Sequence, residues 1–228
     1  MNTDANRMDA LAVLAKGILG NIPYVGPIVG EVVGKIIPNQ RIDRIAKLLE
    51  ELRRRIDRLD RVVIEQRMKA PEGVDLLEDG FHQAARALSD ERIHYIANVL
   101  KRGLAEEDLK HVQSKMLMQL LGQLTDQEII LLQWHNLGRS DAAFQKQHLA
   151  IVVAPPPRRD MSPDQIAQRI LYDAREAHLR SLGLLFSAGY VGHNPQFDLP
   201  PGVRAAPDVT PLGRLLLKTI LSDEPGGA

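Results

Sequence analysis

Apolar positions recur along most of this chain at spacings of three and four, the period of amphipathic helices. The pattern is most regular over residues 40–69, where Ile42, Ile45, Leu49, Leu52, Ile56, Leu59 and Val63 follow at intervals of 3, 4, 3, 4, 3 and 4. Such a heptad seam predicts one long helix whose apolar edge is covered by another helix. The cover is a second copy, a helical partner protein, or an antiparallel helix of the same chain. Upstream, Thr3 or Asp4 caps a first helix to about Gly20, with Met8, Leu11, Leu14 and Ala15 on one face. The apolar stretch that follows is broken by Pro23 and Pro27. Pro27 opens a short second helix that Pro38 closes.

Pro71 and Gly73 mark a boundary, after which helices are predicted over 74–88, over 90–102 behind a Ser89 cap, and over 105–121. Thr125 and Glu128 have the spacing of a capping box, and they start a helix with Ile129, Ile130, Leu132 and Leu137 available for burial. Residues 154–159 form a stiff proline-rich connector. Ser162 and Pro163 then cap a helix through about 182, ended by Gly183. Residues 189–206, rich in Gly and Pro, leave room for a short hairpin or an irregular loop, and Thr210 with Pro211 starts the last helix. The expected organisation is an apolar helical hairpin (1–39), a long heptad helix (40–70), a helical bundle (71–153), a C-terminal module with a few short strands (160–222) and a disordered tail (223–228).

Composition agrees with a mainly α fold. The chain has 228 residues, 44% of them apolar but only 4% aromatic, so its core rests on Leu, Ile, Val and Ala. The formal net charge is zero, which lends no support to a strongly basic nucleic-acid binder. Local charge is uneven: residues 41–69 hold ten bases and six acids, and residues 70–132 hold eleven acids and six bases. The simplest use of the opposite signs is for the basic helix to lie against the acidic bundle, in cis or in a partner subunit.

There are no cysteines. Disulfides, thiolate nucleophiles and zinc–cysteine sites are excluded, and a cytoplasmic location is expected. Neither a secretory signal nor a run of about 18 uncharged apolar residues is evident. The seven histidines, at 82, 94, 111, 135, 148, 178 and 193, lack metal-ligand spacing. No phosphate-cradling glycine loop or nucleophile elbow occurs, and acid pairs such as Glu50/Glu51 and Glu106/Glu107 fall on expected solvent faces. No enzyme, cofactor or metal is expected.

The glycines of the N-terminal stretch are its main functional feature. Gly17 and Gly20 precede Gly26, Gly30 and Gly34, and the last three stand four apart on one helical stripe. Small residues at that spacing let helix backbones approach closely, as they do in lipid. Each glycine costs about 1 kcal/mol of helix stability relative to Ala in water. A membrane-inserting segment explains that cost, and a tightly crossed hairpin stored in a soluble bundle explains it as well. The arginines 53, 54, 55, 58 and 61 form a solvated or acid-paired face, or a surface for anionic lipid or phosphate.

Three stretches of the C-terminal third resemble winged-helix proteins: Leu124 to Leu132 as an opening helix, Ala174 to Leu185 as a helix, turn and strand, and Asp208 to Leu217 as a strand leading into a closing helix. The resemblance puts the helix around 167–182 in the recognition position and makes Arg169, Arg175, His178 and Arg180 candidates for contact with DNA. Asp173 and Glu176 share that helix and oppose such a role.

Taken with the glycine-rich N-terminal stretch, the segments Ile96 to Leu104 and Leu120 to Leu131 resemble bacterial abortive-infection proteins of the alpha type. That resemblance implies a non-enzymatic antiviral-defence effector that oligomerises and acts at the inner membrane. The alternatives are a dimeric DNA-binding regulator and a scaffold subunit.

Overall fold

The structure, a computed structural model, describes residues 41–57, 59–105, 108–186 and 209–222, with the backbone alone at 42, 61 and 108–111. The expected N-terminal hairpin, with Gly17, Gly20, Gly26, Gly30 and Gly34, lies outside the described residues. Among those described, ten helices and one isolated antiparallel bridge occur, so the protein is mainly helical. They fall into two compact units, residues 1–123 with 219–228, and residues 124–218. The boundary therefore stands between Gln123 and Leu124, inside the stretch that the sequence reading assigned to a single bundle.

The first unit is built on α1 (Ile42–Ile56), α2 (Arg61–Lys69), α3 (Pro71–Arg86), α4 (Asp90–Ala105) and α5 (Asp108–Gln123). The α4 helix is the hub, with α1, α3 and α5 packed on it. It buries Ile93, Ile96, Ala97, Val99, Leu100 and Leu104. From the surrounding helices, Leu76, Leu77 and Phe81 of α3 and Leu117, Met118 and Leu121 of α5 are fully buried. Leu and Ile dominate this core, as the scarcity of aromatics requires.

The long heptad helix expected over 40–69 is two helices. Its first part, α1, ends at Ile56, and Asp60 starts α2 by accepting hydrogen bonds from the backbone N–H groups of Val62 (2.8 Å) and Val63 (3.4 Å). An aspartate that caps in this way offers the backbone an alternative to continuing the helix. The seam divides accordingly. Ile45, Leu49 and Leu52, joined by Leu48, are fully buried within the unit, whereas Ile56 and Leu59 are half-buried and Val63 is 40% exposed. Of the expected oligomerisation seam, Ile45, Leu49 and Leu52 are covered by helices of the same chain, the intrachain alternative for this seam. Of Ile42 only the backbone is described.

The basic character of α1 is also handled locally. Arg53 pairs with Glu50 and Asp57, and Arg54 pairs with Glu50 and Glu51, all one turn away on the same chain segment. Its basic side chains reach the acidic helices at Lys47, which pairs with Asp90, at Arg44, which donates to the Ala85 carbonyl (3.3 Å), and at Arg55, which turns inward toward α4. The helix does not lie with its whole basic face on acidic neighbours.

Gly73 is dictated by packing. It sits where α2 hands over to α3, and a Cβ there would stand 2.0 Å from the carbonyl oxygen of Arg67. Backbone cannot yield as a flexible side chain can, so Gly73→Ala is expected to cost about 2 kcal/mol or more by overpacking, despite the better helix propensity of Ala. Urea denaturation followed by circular dichroism measures it, and an unchanged midpoint would show that the α2–α3 corner has room to relax.

The second unit contains α6 (Asp126–Asn136), α7 (Ala142–Gln147), α8 (Leu149–Val152), α9 (Pro163–Ser181) and most of α10 (Pro211–Ile220). The expected caps are present. The Thr125–Glu128 capping box has both halves formed, as does a second box between Ser162 and Gln165 with Pro163 as the first helical residue. After α9, Gly183 takes a φ of +71°, the left-handed conformation that ends a helix without a Cβ penalty. Leu185 then bridges Val209 in antiparallel fashion, and Thr210 ties the two ends together. Its hydroxyl donates to the Gly183 carbonyl (2.7 Å) and accepts from the Gly213 N–H (3.0 Å). Of the expected short strands, this bridge is what the described residues contain. Trp134 is buried in α6 and stacks with Phe144 of α7 at a centroid distance of 6.3 Å.

Candidate functional site

The densest polar constellation among the described residues joins α6 to α9 within the second unit. Helical spacing places it: Tyr172, Glu176 and Arg180 recur every four residues on α9, and Glu128 and His135 stand two turns apart on α6.

Glu176 is at the centre and is only 8% exposed. Its Oε1 accepts a hydrogen bond from the Tyr172 hydroxyl (3.1 Å) and lies 3.6 Å from the Arg139 guanidinium, while its Oε2 accepts from Arg180 (2.5 Å). His135 is buried beside it. Arg139 Nε donates to His135 Nδ1 at 3.2 Å. An arginine can only donate, so Nδ1 is an acceptor and the ring proton resides on Nε2. That Nε2 is 3.2 Å from Glu176 Oε1 but off the hydrogen-bond line.

The titration behaviour follows from this packing. Burial pushes the Glu176 carboxyl up, yet His135 and Arg180 outweigh it and hold the group down at about 2. Burial and the Glu176 charge push the Tyr172 phenol up to about 12. Burial holds His135 below the usual histidine range, with Arg139 and Arg180 acting in the same direction and Glu176 opposing them. The cluster at neutral pH is an ionised carboxylate, a neutral imidazole and a protonated phenol.

Glu128 forms the neighbouring node. Its Oε2 completes the cap with the Thr125 backbone N–H (2.7 Å) and hydroxyl (2.9 Å), and its Oε1 lies 2.6 Å from His178 Nδ1. Burial raises this carboxyl, and the Thr125 N–H, the His178 bond and the Thr125 hydroxyl together bring it below the usual carboxylate range.

The four residues expected at a DNA surface are thereby accounted for. Arg169 pairs with Asp173 (2.9 Å) and donates to the Pro155 carbonyl (3.3 Å). Arg175 donates to the Gln127 side chain, His178 meets Glu128, and Arg180 meets Glu176. Each meets an acceptor of its own unit: Arg169–Asp173 and Arg180–Glu176 pair within α9, while the bonds to Pro155, Gln127 and Glu128 tie the helix to its neighbours. The solvent side of α9 carries large apolar residues beside exposed Asp164, Gln165 and Asp173: Ile166 is 45% exposed, Ile170 61% and Leu171 55%. Sequence reasoning passed over that face because Ile and Leu at helical spacing read as core. Only the burial of the opposite face, at Glu176 and Leu179, shows which side is turned inward.

In the first unit, Glu51 is buried and accepts from Arg55, with His94 Nδ1 at 3.0 Å. Arg55 Nε also donates to Asn98 Oδ1 (2.6 Å), and Asn98 Nδ2 donates to the Ile220 carbonyl (2.8 Å). This chain of bonds satisfies buried polar groups of the unit. An open groove of about 340 Å³ is lined by Pro155, Pro156, Arg158, Asp160, Met161 and Gln165, a set without a nucleophile–base pair. Among the described residues no three His, Asp or Glu side chains are grouped to hold a metal, and no helix is long and apolar enough to cross a membrane.

No protein-family model, no curated protein and no solved structure matches this chain.

Proposed function

We propose that this chain acts without catalysis, by assembling with protein, as an effector of the abortive-infection kind. One observation carries the assembly reading. The helix that would be a recognition helix has its cations paired internally and turns Ile166, Ile170 and Leu171 to solvent. Solvent-exposed apolar groups on one helix face mark protein contact, and phosphate contact requires free Lys or Arg. The order α6, α9, the Leu185–Val209 bridge and α10 supports a winged-helix-like module used as an interaction platform.

Two measurements on the full chain test this reading. Sedimentation is expected to reveal a mass above that of the monomer, or a stoichiometric protein partner. Fluorescence anisotropy with duplex DNA at low salt is expected to show no binding that Arg175→Ala or Arg180→Ala weakens. A monomer without partner that binds DNA in a salt-sensitive way through those arginines would reverse the assignment in favour of the DNA-binding regulator.

The membrane role rests on the spacing of Gly26, Gly30 and Gly34 in the sequence. If those glycines mediate close helix approach in lipid, the full chain releases dye from anionic liposomes and the double variant Gly30→Leu/Gly34→Leu does not. Equal leakage from both removes the glycine stripe from the mechanism.

A further inference from the structure

We infer that Arg139 is a latch released by a proton: neutral His135 holds it in the turn between α6 and α7, and the protonated ring takes over Glu176 and frees Arg139, and with it α7, to move off Trp134. The turn at residues 137–140 is built against its own preference. Gly138 has a φ of +63° and Arg139 one of +59°, and among the described residues Arg139 is the one non-glycine residue on a left-handed backbone. A Cβ makes that conformation unfavourable, so it persists only where the surroundings hold it. What holds it is the side chain. Arg139 Nε and Nη2 each stand 3.2 Å from His135 Nδ1, and Nη2 lies 3.6 Å from Glu176 Oε1. The Arg139 side chain is 35% exposed, whereas that of His135 is fully buried. Beyond the turn, α7 has no buried residue. Its Asp141 cap is local, and its Phe144 ring lies parallel to Trp134 of α6 at 6.3 Å.

Protonation at Nδ1 removes the acceptor that Arg139 uses, because an imidazolium donates at both nitrogens and a guanidinium has no lone pair to offer. Two cations then face each other across 3.2 Å. Glu176 decides which one stays. Its Oε1 is 3.2 Å from His135 Nε2, and the buried ring cannot reach water as the half-exposed guanidinium can. Once Arg139 leaves, the ring is free to turn its Nε2–H onto Glu176, the bond that this buried nitrogen lacks in the neutral form. One positive charge replaces another beside the carboxylate, so the site keeps its charge balance. The remaining neighbours leave this exchange intact. From α9, Arg180 pairs with Glu176 Oε2 and the Tyr172 hydroxyl donates to Oε1, while α8, also packed on α6, is Leu149–Val152 and carries no ionisable side chain. Burial, with Arg139 and Arg180, opposes protonation and Glu176 favours it, so release falls below the usual histidine range. Glu176 is still ionised there: despite burial, His135 and Arg180 hold it down at about 2.

The full chain is titrated from about pH 7 to 4 with two probes: the His135 Cε1 proton by NMR, and acrylamide quenching of Trp134, the only tryptophan. Far-UV circular dichroism is followed beside them. Both probes should move together, at a midpoint below 6.5, while the helical signal stays unchanged. Arg139→Gly suits the left-handed backbone but removes the latch. It should show at pH 7 the quenching that the native chain reaches at pH 4, with a His135 midpoint above the native one. His135→Gln keeps an acceptor for Arg139 without a titrating ring, so its quenching should stay low and flat. His148 packs on the Phe144 ring at 4.6 Å, and His148→Gln should leave the native rise in place. A rise that persists in His135→Gln, or that disappears in His148→Gln, overturns the inference. So does Arg139→Gly quenched no more than the native chain at pH 7. A native chain whose Trp134 stays protected while His135 titrates, or whose His135 stays neutral to pH 4, overturns it as well. A rise that comes only with loss of the helical signal is unfolding of the unit and refutes local release. Should His135→Gln not fold at pH 7, Arg139→Gly and the NMR midpoint decide.

Discussion

Glu176→Gln is expected to lower the stability of the second unit by about 3 kcal/mol at pH 7, and to lose that effect near pH 2. The magnitude follows from the fall of the carboxyl from 4.5 to about 2, at about 1.4 kcal/mol per unit. The sign is that of a depressed acid. The stabilisation is complete above the unfolded value of 4.5, and it disappears as pH falls from there toward 2. His135 adds to the same trend at higher pH. Its folded value lies below 6.5 because the ring is buried, so the unfolded chain takes up a proton first as pH drops through 6.5. Acidification from pH 7 should weaken the unit in two stages, and Glu176→Gln should shrink the lower one to the part that the depressed Glu128 carboxyl contributes. Trp134 is the only tryptophan and is buried in α6, so its fluorescence during urea titration isolates this unit. A variant as stable as the native chain at pH 7 would mean that the guanidinium groups of Arg139 and Arg180 find water or other acceptors at no cost. Glu176→Ala is expected to be worse, about 3–5 kcal/mol, because it leaves both arginines facing an empty buried site.

Leu49→Ala should cost about 2–5 kcal/mol, whereas Val63→Ala, in the same heptad frame, should stay within about 0.5 kcal/mol. Leu49 is fully buried in α1 against the hub helix, and its truncation leaves a cavity that close-packed neighbours fill only in part. Val63 lies beyond the break at Asp60 and is 40% exposed, with little apolar area to lose. Urea midpoints at two protein concentrations check the pair. Concentration-independent losses at Leu49 identify an intrachain contact, and a loss that shrinks as protein concentration rises would restore the seam to an intermolecular role.

Local signals in the sequence proved sound where the chemistry is local. The Thr125–Glu128 box, the Ser89 and Ser162 caps, Pro163 at the start of α9 and Gly183 at its end each act within four residues, and each is found as read. The break at Asp60 was equally local, but a continuous heptad count conceals a capping aspartate, because the apolar spacing continues across it. The division between units at Gln123 and Leu124 lacked any such signal. Gly122 and the Thr125 cap read as an ordinary helix junction, and which neighbours a helix keeps is decided by contacts distant in sequence.

The candidate residues were legible in the sequence, but the partners that they meet were not. Arg169, Arg175, His178 and Arg180 are at the positions where a winged-helix resemblance would seek phosphate contacts. Whether a cation is free depends on acceptors up to 50 positions away, such as Glu128 for His178. Residues that were not candidates, His135, Glu176 and Tyr172, form the buried centre, because separations of 37 and 41 positions collapse only once α6 lies along α9.

By itself the sequence determined that this chain is mainly helical, where most of its helices begin and end, and that its core is aliphatic, since capping, helix propensity and hydrophobic period are properties of neighbours within one or two turns. Tertiary structure alone decided that half the heptad seam is intrachain core, that the arginines of α9 are internal partners and that its apolar stripe faces water. The physical reason is that burial and ion pairing depend on which helix faces meet, and a periodic pattern defines each face without naming what it meets.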